Sequence, residues 1–497
     1  MDYGLNFLER GPVFDGRDHP YPAAALLAIP LSSDLKNRPA LKGAPLDIEN
    51  PQNLFPSRTL NLGLAALTLI FFALWIKTKF GVAMGLLTLA AGTLDPGWLA
   101  QARFFTTDIL HASGLLLSAL AIGAHAQTRN KLPLALAAMG FALACSAKFS
   151  GLLLAPTALL IYMIYEHRRL ENATWSRALG IAIIPAASIS FFGFVLFVLL
   201  FELHAFLGLN EFGAGLNHLI KGTESFAEVR SSPRGTFLMG SYYPGGTLLY
   251  FPLLIAAKTP LAMLVLICAT KGKALFQESK AVFPELALLA GTYLLVAILS
   301  KVNLGYRHLT PILPALWFLT AAGAWRILNT TKLKLAAPAL GLVLLFECLM
   351  VHPNYLPYTN LAFGGERRAH LVAVDSATDW GQDLPALSRY LRLNRDIETK
   401  LDLAYFGSAN PAKLGIHARW RPCGLLGAPA PRSGGRAACE DPAELLAISA
   451  TCLQGAAGGN TQDSCYEWLR DRPPDEILGG SILIYRNLRS KSPTAPP

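Results

Sequence analysis

Charged residues are scarce in this sequence: they make up 15% of its 497 residues, whereas 53% are hydrophobic. A soluble protein of this length needs far more polar surface, so much of the chain must face lipid. The net charge of +10 does not indicate nucleic-acid binding, because the basic residues lie between apolar runs and are not gathered on one aromatic-interleaved segment. The composition therefore excludes a wholly soluble protein and argues against a nucleic-acid partner.

Two short sequence signals are also absent. The N-terminal residues are polar and lack the apolar region of a cleavable signal peptide, so we expect membrane insertion to depend on internal helices. No CxxC pair accompanies the four cysteines near the C-terminus, and their spacing favours disulfides over a zinc site, with three connectivities open. Disulfides would place this region in an oxidising compartment. The four cysteines are Cys423, Cys439, Cys452 and Cys465.

Ten runs of mainly apolar residues predict a polytopic α-helical membrane protein. Several runs are short or contain proline, and one pair is compatible with a re-entrant loop. Basic residues are concentrated in alternate loops, which predicts that those loops face the cytoplasm and that both ends of the chain are extracytoplasmic. The predicted spans are Leu60–Ile76, Val82–Ala100, Ile109–Ala124, Leu132–Ala147, Gly151–Tyr165, Ala178–Phe201, Thr247–Thr270, Ala281–Leu299, Leu309–Ala324 and Leu335–Val351.

The predicted domain organisation places the spans between two extracytoplasmic regions. Residues 1–56 form an N-terminal segment, 57–352 a transmembrane domain with an outer loop at 203–246, 353–490 a C-terminal domain, and 491–497 a disordered tail. The C-terminal domain is predicted to be α/β. AHLVAVDS, KLDLAYFG and ILGGSILIYR are typical of strands, and LPALSRYLRL and PAELLAISATCL of helices.

Charged residues at the ends of the spans, and within them, are candidates for catalytic or ligand-binding roles. Arg103 and Asp108 lie between the second and third spans, where the carboxylate is suited to proton transfer or, alternatively, to capping a helix. Lys148 and Lys258 interrupt apolar runs, where a central lysine costs on the order of 2.5 to 3.5 kcal/mol. An anionic partner is therefore expected, with snorkelling to the interface as the alternative, mainly for Lys148.

Arg307 and His308 add two further groups at the predicted outer face. A guanidinium binds two phosphate oxygens in a fork geometry. With the other cations they indicate a lipid-phosphate site on one membrane surface, since the positive-inside rule disfavours cations there unless they face a polar cavity.

The segment VDSATDWGQDL spaces three aspartates four residues apart: Asp375, Asp379 and Asp383. One interpretation is a metal site or an array that binds sugar hydroxyls, and the other is a set of solvated caps and turns. Both remain open from the sequence.

Seven segments in a fixed order carry a family resemblance. They are DHPYPAAALLAIPL (18–31), LDPGWLAQARFFTTD (94–108), AKFSGLLLAP (147–156), YYPGGTLLYFPLLIAAKTPL (242–261), NLGYRHLTPILP (303–314), VDSATDWGQDL (374–384) and LAYFGSANP (403–411). Together they resemble the bacterial members of glycosyltransferase family 39, which are related to protein O-mannosyltransferases and to the lipid A aminoarabinose transferase and have the GT-C fold.

The resemblance implies an inverting transfer of a sugar from a polyprenyl phosphate, with neither a metal nor another cofactor. Asp108 matches the acidic residue of the second outer loop, where a carboxylate accepts the proton of the acceptor hydroxyl. The residues carried over to the donor phosphate are Arg103, Lys148, Lys258 and Arg307, and His308 is a further candidate because it follows Arg307 at the outer face. His19, in the first segment, and the three aspartates are further candidates for substrate-contacting or structural roles.

One family feature is missing from this sequence. Family members begin with an additional helix that leads into an outer-loop Asp-Glu motif, well before the His-Pro segment, whereas here His19 and Pro20 closely follow Met1. We therefore expect either that the chain starts further upstream or that a principal carboxylate has been lost.

The leading hypothesis is a glycosyltransferase of the bacterial inner membrane whose partners are a polyprenyl-phosphate-linked sugar, membrane lipid, and a glycan, lipid or protein acceptor. The first alternative is a catalytically impaired homologue that binds lipid or assists assembly. The second is a transporter, which would be expected to show matched halves in its hydropathy. The sequence identifies neither the sugar nor the acceptor.

Overall fold

The computed structural model describes residues 51–488, except for 105, 171–173, 203–212, 214–216, 218–219, 225–234, 271–283, 301, 331, 395–400, 408, 424–443 and 457–464. The predictions for His19, Cys439, residues 1–50 and the C-terminal tail lie outside the described residues. The chain divides into two compact units. The first contains the described residues of Met1–Ser232, Ala262–Ala297 and His308–Leu345, and the second those of Pro233–Leu261, Ile298–Arg307 and Phe346–Pro497.

Helices of 8 to 30 residues make up the membrane-spanning part of the chain. In chain order they are α1 (Pro51–Phe80), α2 (Val82–Thr93), α3 (Pro96–Arg103), α4 (Asp108–Thr128), α5 (Lys131–Ala147), α6 (Leu154–Arg169), α7 (Trp175–Phe201), α8 (Tyr250–Lys258), α9 (Leu261–Ala269), α10 (Pro284–Leu299), α11 (Leu313–Thr330) and α12 (Ala336–Met350). Short 3-10 helices at Phe149–Leu153 and Tyr306–Ile312 precede α6 and α11.

Within the described residues, five helical segments are long and apolar enough to cross a membrane, and two bent helix pairs raise that number to seven. The pairs are α2 with α3, bent by 62°, and α8 with α9, bent by 102°. Helices α5, α10 and α12 are apolar but shorter. Each predicted span thus corresponds to an apolar helix or helix pair, which confirms the predicted polytopic α-helical architecture.

The predicted second span is interrupted at Asp95. The side chain of this residue stabilises the bend between α2 and α3. Its carboxylate accepts hydrogen bonds from the N–H groups of Gly97, at 2.8 Å, and Trp98, at 3.4 Å, and so caps α3. The indole N–H of Trp317 donates to the other carboxylate oxygen at 2.8 Å. The prediction of one continuous span was wrong here, because the Asp-Pro pair starts a new helix instead of continuing the old one.

The second unit contains a mixed five-stranded sheet in the order β4-β3-β5-β7-β6. Strands β3, β4 and β5 are parallel, while β7 pairs antiparallel with β5 and β6. A separate hairpin joins β1 (Thr236–Leu238) to β2 (Ser241–Tyr243). The sheet strands are β3 (Leu401–Ala404), β4 (Arg419–Trp420), β5 (Leu445–Ser449), β6 (Glu476–Leu478) and β7 (Ile482–Arg486), and the helices of this region are α13 (Ala369–Val372), α14 (Leu384–Leu393) and α15 (Ala450–Leu453).

The sheet is buried on both faces. Along β5, Leu445 and Ala447 belong to one hydrophobic cluster, whereas Leu446 and Ile448 belong to another. Because side chains alternate across a strand, the two clusters cover opposite faces of the sheet. A small α/β region was predicted, and this structure confirms it.

Two predicted elements of this region were wrong. PAELLAISATCL was expected to be helical, but its first half is β5, since a strand buried on both faces is a continuous apolar run that periodicity cannot distinguish from a buried helix. AHLVAVDS was expected to be a strand but begins as the one-turn helix α13, whose Val372 carbonyl accepts from the N–H of Met239 at 2.9 Å. ILGGSILIYR forms two strands, β6 and β7, with a Gly-Gly turn between them.

Candidate functional site

A buried ion pair joins α4 to the end of α5 in the first unit. The Lys148 ammonium donates to a carboxylate oxygen of Asp108. The two residues are only 6% and 1% exposed. Asp108 is therefore not the cap of α4, a position occupied by Thr107, and Lys148 does not snorkel. Each charge compensates the other inside a segment where either alone would be strongly unfavourable.

Glycines allow the two helices of this pair to approach closely. A Cβ atom added at Gly114 of α4 would lie 2.6 Å from the main-chain nitrogen of Ala144, and one added at Gly140 of α5 would lie 2.6 Å from that of Ser118. Side chains at these positions would push the helices apart. Small residues at such contacts are typical of packed membrane helices.

A hydrogen-bonded cluster lies one turn along α4 from the ion pair. His111 is fully buried, and its Nδ1 is 3.0 Å from the carbonyl oxygen of Ala144. A carbonyl can only accept, so Nδ1 carries the proton. The other ring nitrogen lies 3.1 Å from the hydroxyl of Ser150 and 3.3 Å from that of Tyr293 on α10. This cluster ties the turn that carries Lys148 to two other helices.

Arg103 ends α3 and lies close enough to Arg58 of α1 for the two charges to repel. The end of α3 is held by the side-chain amide of Asn61, which is fully buried. Its acceptors are the main-chain oxygens of Gln101, Ala102 and Phe104, at 3.0, 3.2 and 2.7 Å. Two neighbouring guanidinium groups at a helix end provide a setting for an anion.

Lys258 belongs to the second unit and has different partners. Its ammonium group donates to the carbonyl oxygens of Leu356, at 2.9 Å, and Ala377, at 2.6 Å. The residue is only 3% exposed. An anionic partner was predicted for Lys258, and these two main-chain carbonyl oxygens supply negative partial charge to its ammonium group. The two hydrogen bonds connect the end of α8 to the aspartate-rich segment.

Arg307 and His308 are neighbours in the 3-10 helix that precedes α11, and both are half-buried. The guanidinium carbon of Arg307 lies 4.9 Å from the centre of the Trp380 ring, a cation–π arrangement. The predicted phosphate-binding residues are therefore divided: Arg103, Lys148 and His308 belong to the first unit, and Lys258 and Arg307 to the second.

The three aspartates are not equivalent. Asp379 is fully buried and accepts from the N–H groups of Thr451 and Gly381, at 3.1 and 3.2 Å. Asp383 accepts from the N–H and hydroxyl of Ser481, at 3.2 and 2.7 Å. Asp375 is half-buried and has a left-handed backbone with φ of 55°. Asp379 and Asp383 therefore brace a loop, and no cluster of three metal-ligating side chains occurs among the residues that the structure describes.

Burial shifts the pKa values of three ionisable groups in this region. Desolvation raises the pKa of Asp379 to about 7, against the opposing effect of its hydrogen bonds to Thr451 and Gly381. The same cause raises the pKa of Asp383 to about 7, and the neighbouring Asp379 adds to the shift. Desolvation also lowers the pKa of His370 to about 4. Each of these groups favours its neutral form more than usual.

Cys423 and Cys452 form a disulfide, and Cys465 is also disulfide-bonded. Three other cysteines are not in disulfides: Cys145 and Cys348 are buried, and Cys268 is exposed. The first disulfide joins a position just after β4 to α15 in the second unit.

Sequence reasoning missed four residues of these clusters. Arg58 carried a readable signal, because it is a cation at the start of an apolar run. His111 follows Asp108 by one helical turn, so helical spacing could have indicated it. Ser150 and Tyr293 carried no comparable signal, since Tyr293 is 182 positions from the histidine that it contacts.

No protein-family model matches the chain, and no curated protein sequence matches it at a significant level. Among solved structures, the chain is similar to ArnT from Cupriavidus metallidurans in the apo state, with 12% sequence identity and a TM-score of 0.44. The similarity covers 97% of this chain and 91% of that chain. A similarity this low assigns no activity.

Proposed function

We propose that this chain is a GT-C-type glycosyltransferase of the bacterial inner membrane that transfers a sugar from a polyprenyl-phosphate donor to an extracytoplasmic hydroxyl group. The single observation that carries the proposal is the buried Asp108–Lys148 pair at the ends of two membrane helices. Ionisable residues within membrane segments are rare and usually functional. The ordered motifs that resemble glycosyltransferase family 39 include both residues of the pair.

The proposed reaction uses Asp108 as the general base. The acceptor oxygen attacks the anomeric carbon while the bond from that carbon to the phosphate oxygen breaks, so the configuration inverts. The acceptor proton goes to the Asp108 carboxylate, and the bonding electrons leave with the phosphate. Lys148, and with it Arg103, offers positive charge for the departing phosphate. General-base help contributes about 10²- to 10⁴-fold, and charge stabilisation of a leaving group contributes as much or more.

The proposed orientation places the sheet region of the second unit outside the cytoplasm. The Cys423–Cys452 disulfide supports this orientation, because disulfides persist in oxidising compartments. The basic residues of alternate loops support it independently.

The test is transfer of labelled sugar in membranes that contain the chain, with a panel of polyprenyl-phosphate sugars as donors. We expect transfer by the wild type and a loss of more than about a hundredfold in Asp108→Asn. Glu476→Gln, a change in a surface ion pair, is the matched control and should retain activity. Binding of polyprenyl phosphate without transfer from any donor would contradict the proposal and favour a non-catalytic lipid-binding protein.

A further inference from the structure

The loop 375–383 of the second unit is fixed by several buried charged groups. Asp379 and Asp383 anchor it to Thr451 and Ser481, and the Lys258 ammonium holds its Ala377 carbonyl. Burying ionisable groups is unfavourable unless each is neutral or has hydrogen-bond partners, and these groups have such partners. A solvent-exposed turn does not need such anchors. Their combined effect is to hold the loop in one geometry.

A fourth contact fixes the same loop to the segment before α11. The Ser376 hydroxyl donates to the Leu304 carbonyl, and the neighbouring Asn303 carbonyl accepts from the hydroxyl of Thr236 at 3.1 Å. The loop and residues 303–307 therefore form one rigid platform within the second unit. Arg307 lies at the end of this platform.

The platform presents three half-buried side chains together. The Arg307 guanidinium stacks on the Trp380 ring at 4.9 Å. Asp375 adopts a left-handed backbone, which an aspartate tolerates at some energetic cost. Buried Tyr250, at the start of α8, interacts electrostatically with both Asp375 and Arg307. The loop 375–383 thus carries a carboxylate and an indole five residues apart, and the indole is stacked on a guanidinium.

Part of this arrangement is structural, because the Asp375 carboxylate accepts from the N–H of Ser376 at 2.5 Å and the Asp375 N–H donates to the hydroxyl of Thr451 at 3.0 Å. A cation–π contact between half-exposed side chains contributes little to stability, and the backbone strain at Asp375 opposes stability. In ligand sites, by contrast, an aromatic face supplies contact area, and a few fixed polar groups supply orientation. The apolar face of a pyranose ring fits an indole, and its hydroxyl groups donate to a carboxylate.

We infer that Trp380, oriented by Arg307, is a stacking platform for a pyranose ring and that Asp375 accepts hydrogen bonds from the hydroxyls of that sugar. Lys258, Asp379 and Asp383 act as positioning residues that hold the loop in place. The inference rests on the proposed function, whose sugar it would select. The ring belongs either to the lipid-linked donor or to a glycan acceptor, and both sources share this chemistry.

The first experiment measures binding without turnover. The full chain in detergent is titrated with the methyl glycosides of glucose, galactose, mannose and N-acetylglucosamine, and with acyclic sorbitol, while tryptophan fluorescence is followed. We expect saturable binding of at least one glycoside and none of sorbitol. Trp380→Ala should weaken binding about tenfold, whereas Trp380→Phe, which keeps an aromatic face, should weaken it less.

Asp375→Asn keeps the side-chain size and tolerates the left-handed backbone, so it removes the charge with little strain. It should weaken glycoside binding without lowering the thermal unfolding midpoint. Trp468→Ala is the matched control, because this tryptophan of the same unit is 45% exposed and lies on another segment, and it should bind like the wild type. Binding by Trp380→Ala that equals the wild type, or no glycoside binding by the wild type, would overturn the inference.

The second experiment identifies the source of the sugar and separates the two proposals. If the ring is that of the donor, Trp380→Phe should raise the KM for the polyprenyl-phosphate sugar and leave the KM for the acceptor unchanged; if it is that of the acceptor, the reverse holds. Trp380-dependent glycoside binding with no transfer by the wild type would refute the proposed function and leave the sugar site standing. Transfer with both KM values unchanged in Trp380→Phe and Trp380→Ala would refute the sugar site alone.

Discussion

Lys148 and Lys258 both interrupt apolar runs, yet the two units accommodate them differently. In the first unit, Lys148 is paired with the Asp108 carboxylate, so the buried groups form a neutral pair. In the second unit, the Lys258 ammonium donates to two main-chain carbonyl oxygens, and the buried Asp379 and Asp383 accept from N–H and hydroxyl groups. The first arrangement brings opposite charges together in one pair, as the proposed transfer requires, whereas the second joins segments that are distant in the chain.

The largest expected effect concerns the neutral pair. Asp108→Asn leaves the buried Lys148 without its carboxylate and should destabilise the first unit by about 3 to 5 kcal/mol. The double variant Asp108→Asn/Lys148→Met should recover most of that stability, because it removes the uncompensated charge, but it should not recover transfer. Thermal unfolding in detergent and the transfer assay check both results. A double variant no more stable than the single one would show that the charges are not coupled.

The aspartates of the second unit should make its stability depend on pH. Because their folded-state pKa values of about 7 exceed the unfolded value of 3.8, the folded state binds more protons between these values. The stability that these two carboxyl groups contribute should therefore be fully present below about pH 4 and be lost as the pH rises through 7. His370, with its lowered pKa, opposes this trend between about pH 4 and 6.5, so the net slope is smaller.

Asp383→Asn isolates the contribution of one carboxyl group. The amide does not titrate, so the fall in stability between pH 4 and 7 should be smaller than in the wild type. Hydrogen exchange of residues 375–383 in the full chain, measured at pH 4.5, 6 and 7.5 and corrected for intrinsic exchange rates, gives the comparison. An unchanged slope in Asp383→Asn would mean that this group titrates normally.

A smaller effect is expected for the lysine that ties segments together. Lys258→Met leaves the carbonyls of Leu356 and Ala377 without their donor and should cost roughly 2 to 3 kcal/mol, partly offset by removal of a buried charge. Hydrogen exchange should increase in the loop 375–383 and remain unchanged in α4 and α5. If the variant instead loses polyprenyl-phosphate binding while the loop stays protected, Lys258 contacts the phosphate as the family resemblance implies.

The smallest effect should come from an exposed pair. The Nη2 atom of Arg486 lies 2.7 Å from Oε1 of Glu476, but the two side chains are 37% and 43% exposed. Water and salt screen such a pair, so Glu476→Gln should change stability by less than about 1 kcal/mol. The same thermal unfolding assay in low and high salt measures it. If Glu476→Gln lost as much stability as Asp108→Asn, buried and exposed ion pairs would contribute equally to the stability of this protein.

The spans were predictable because a run of apolar residues has one physical meaning in a membrane protein, whatever its neighbours are. The break at Asp95 was not predicted, although proline marked it, because hydropathy averages over the turn. β5 was misassigned for the opposite reason: Leu445 to Ile448 are all buried, so no alternation remained to distinguish a strand from a helix.

The candidate site was only partly readable. Asp108 and Lys148 were each identified separately, because a charged residue in or beside an apolar run is easily recognised in a sequence. Their pairing could not be read, since 40 residues separate them and hydropathy contains no distances. His111 and Tyr293 are polar residues on otherwise apolar helices, a pattern that fits many roles until the partner is known.

By itself the sequence determined that the chain is a polytopic α-helical membrane protein with a small α/β region, because hydrophobic burial depends on composition and local periodicity. It also marked Asp108, Lys148 and Lys258 as unusual, because the cost of burying a charge does not depend on the fold. Only the tertiary structure decided that Lys148 meets a carboxylate and Lys258 meets carbonyl oxygens. The partners of a buried charge depend on the distances between segments far apart in the chain. Those distances are set only when the helices and strands have packed.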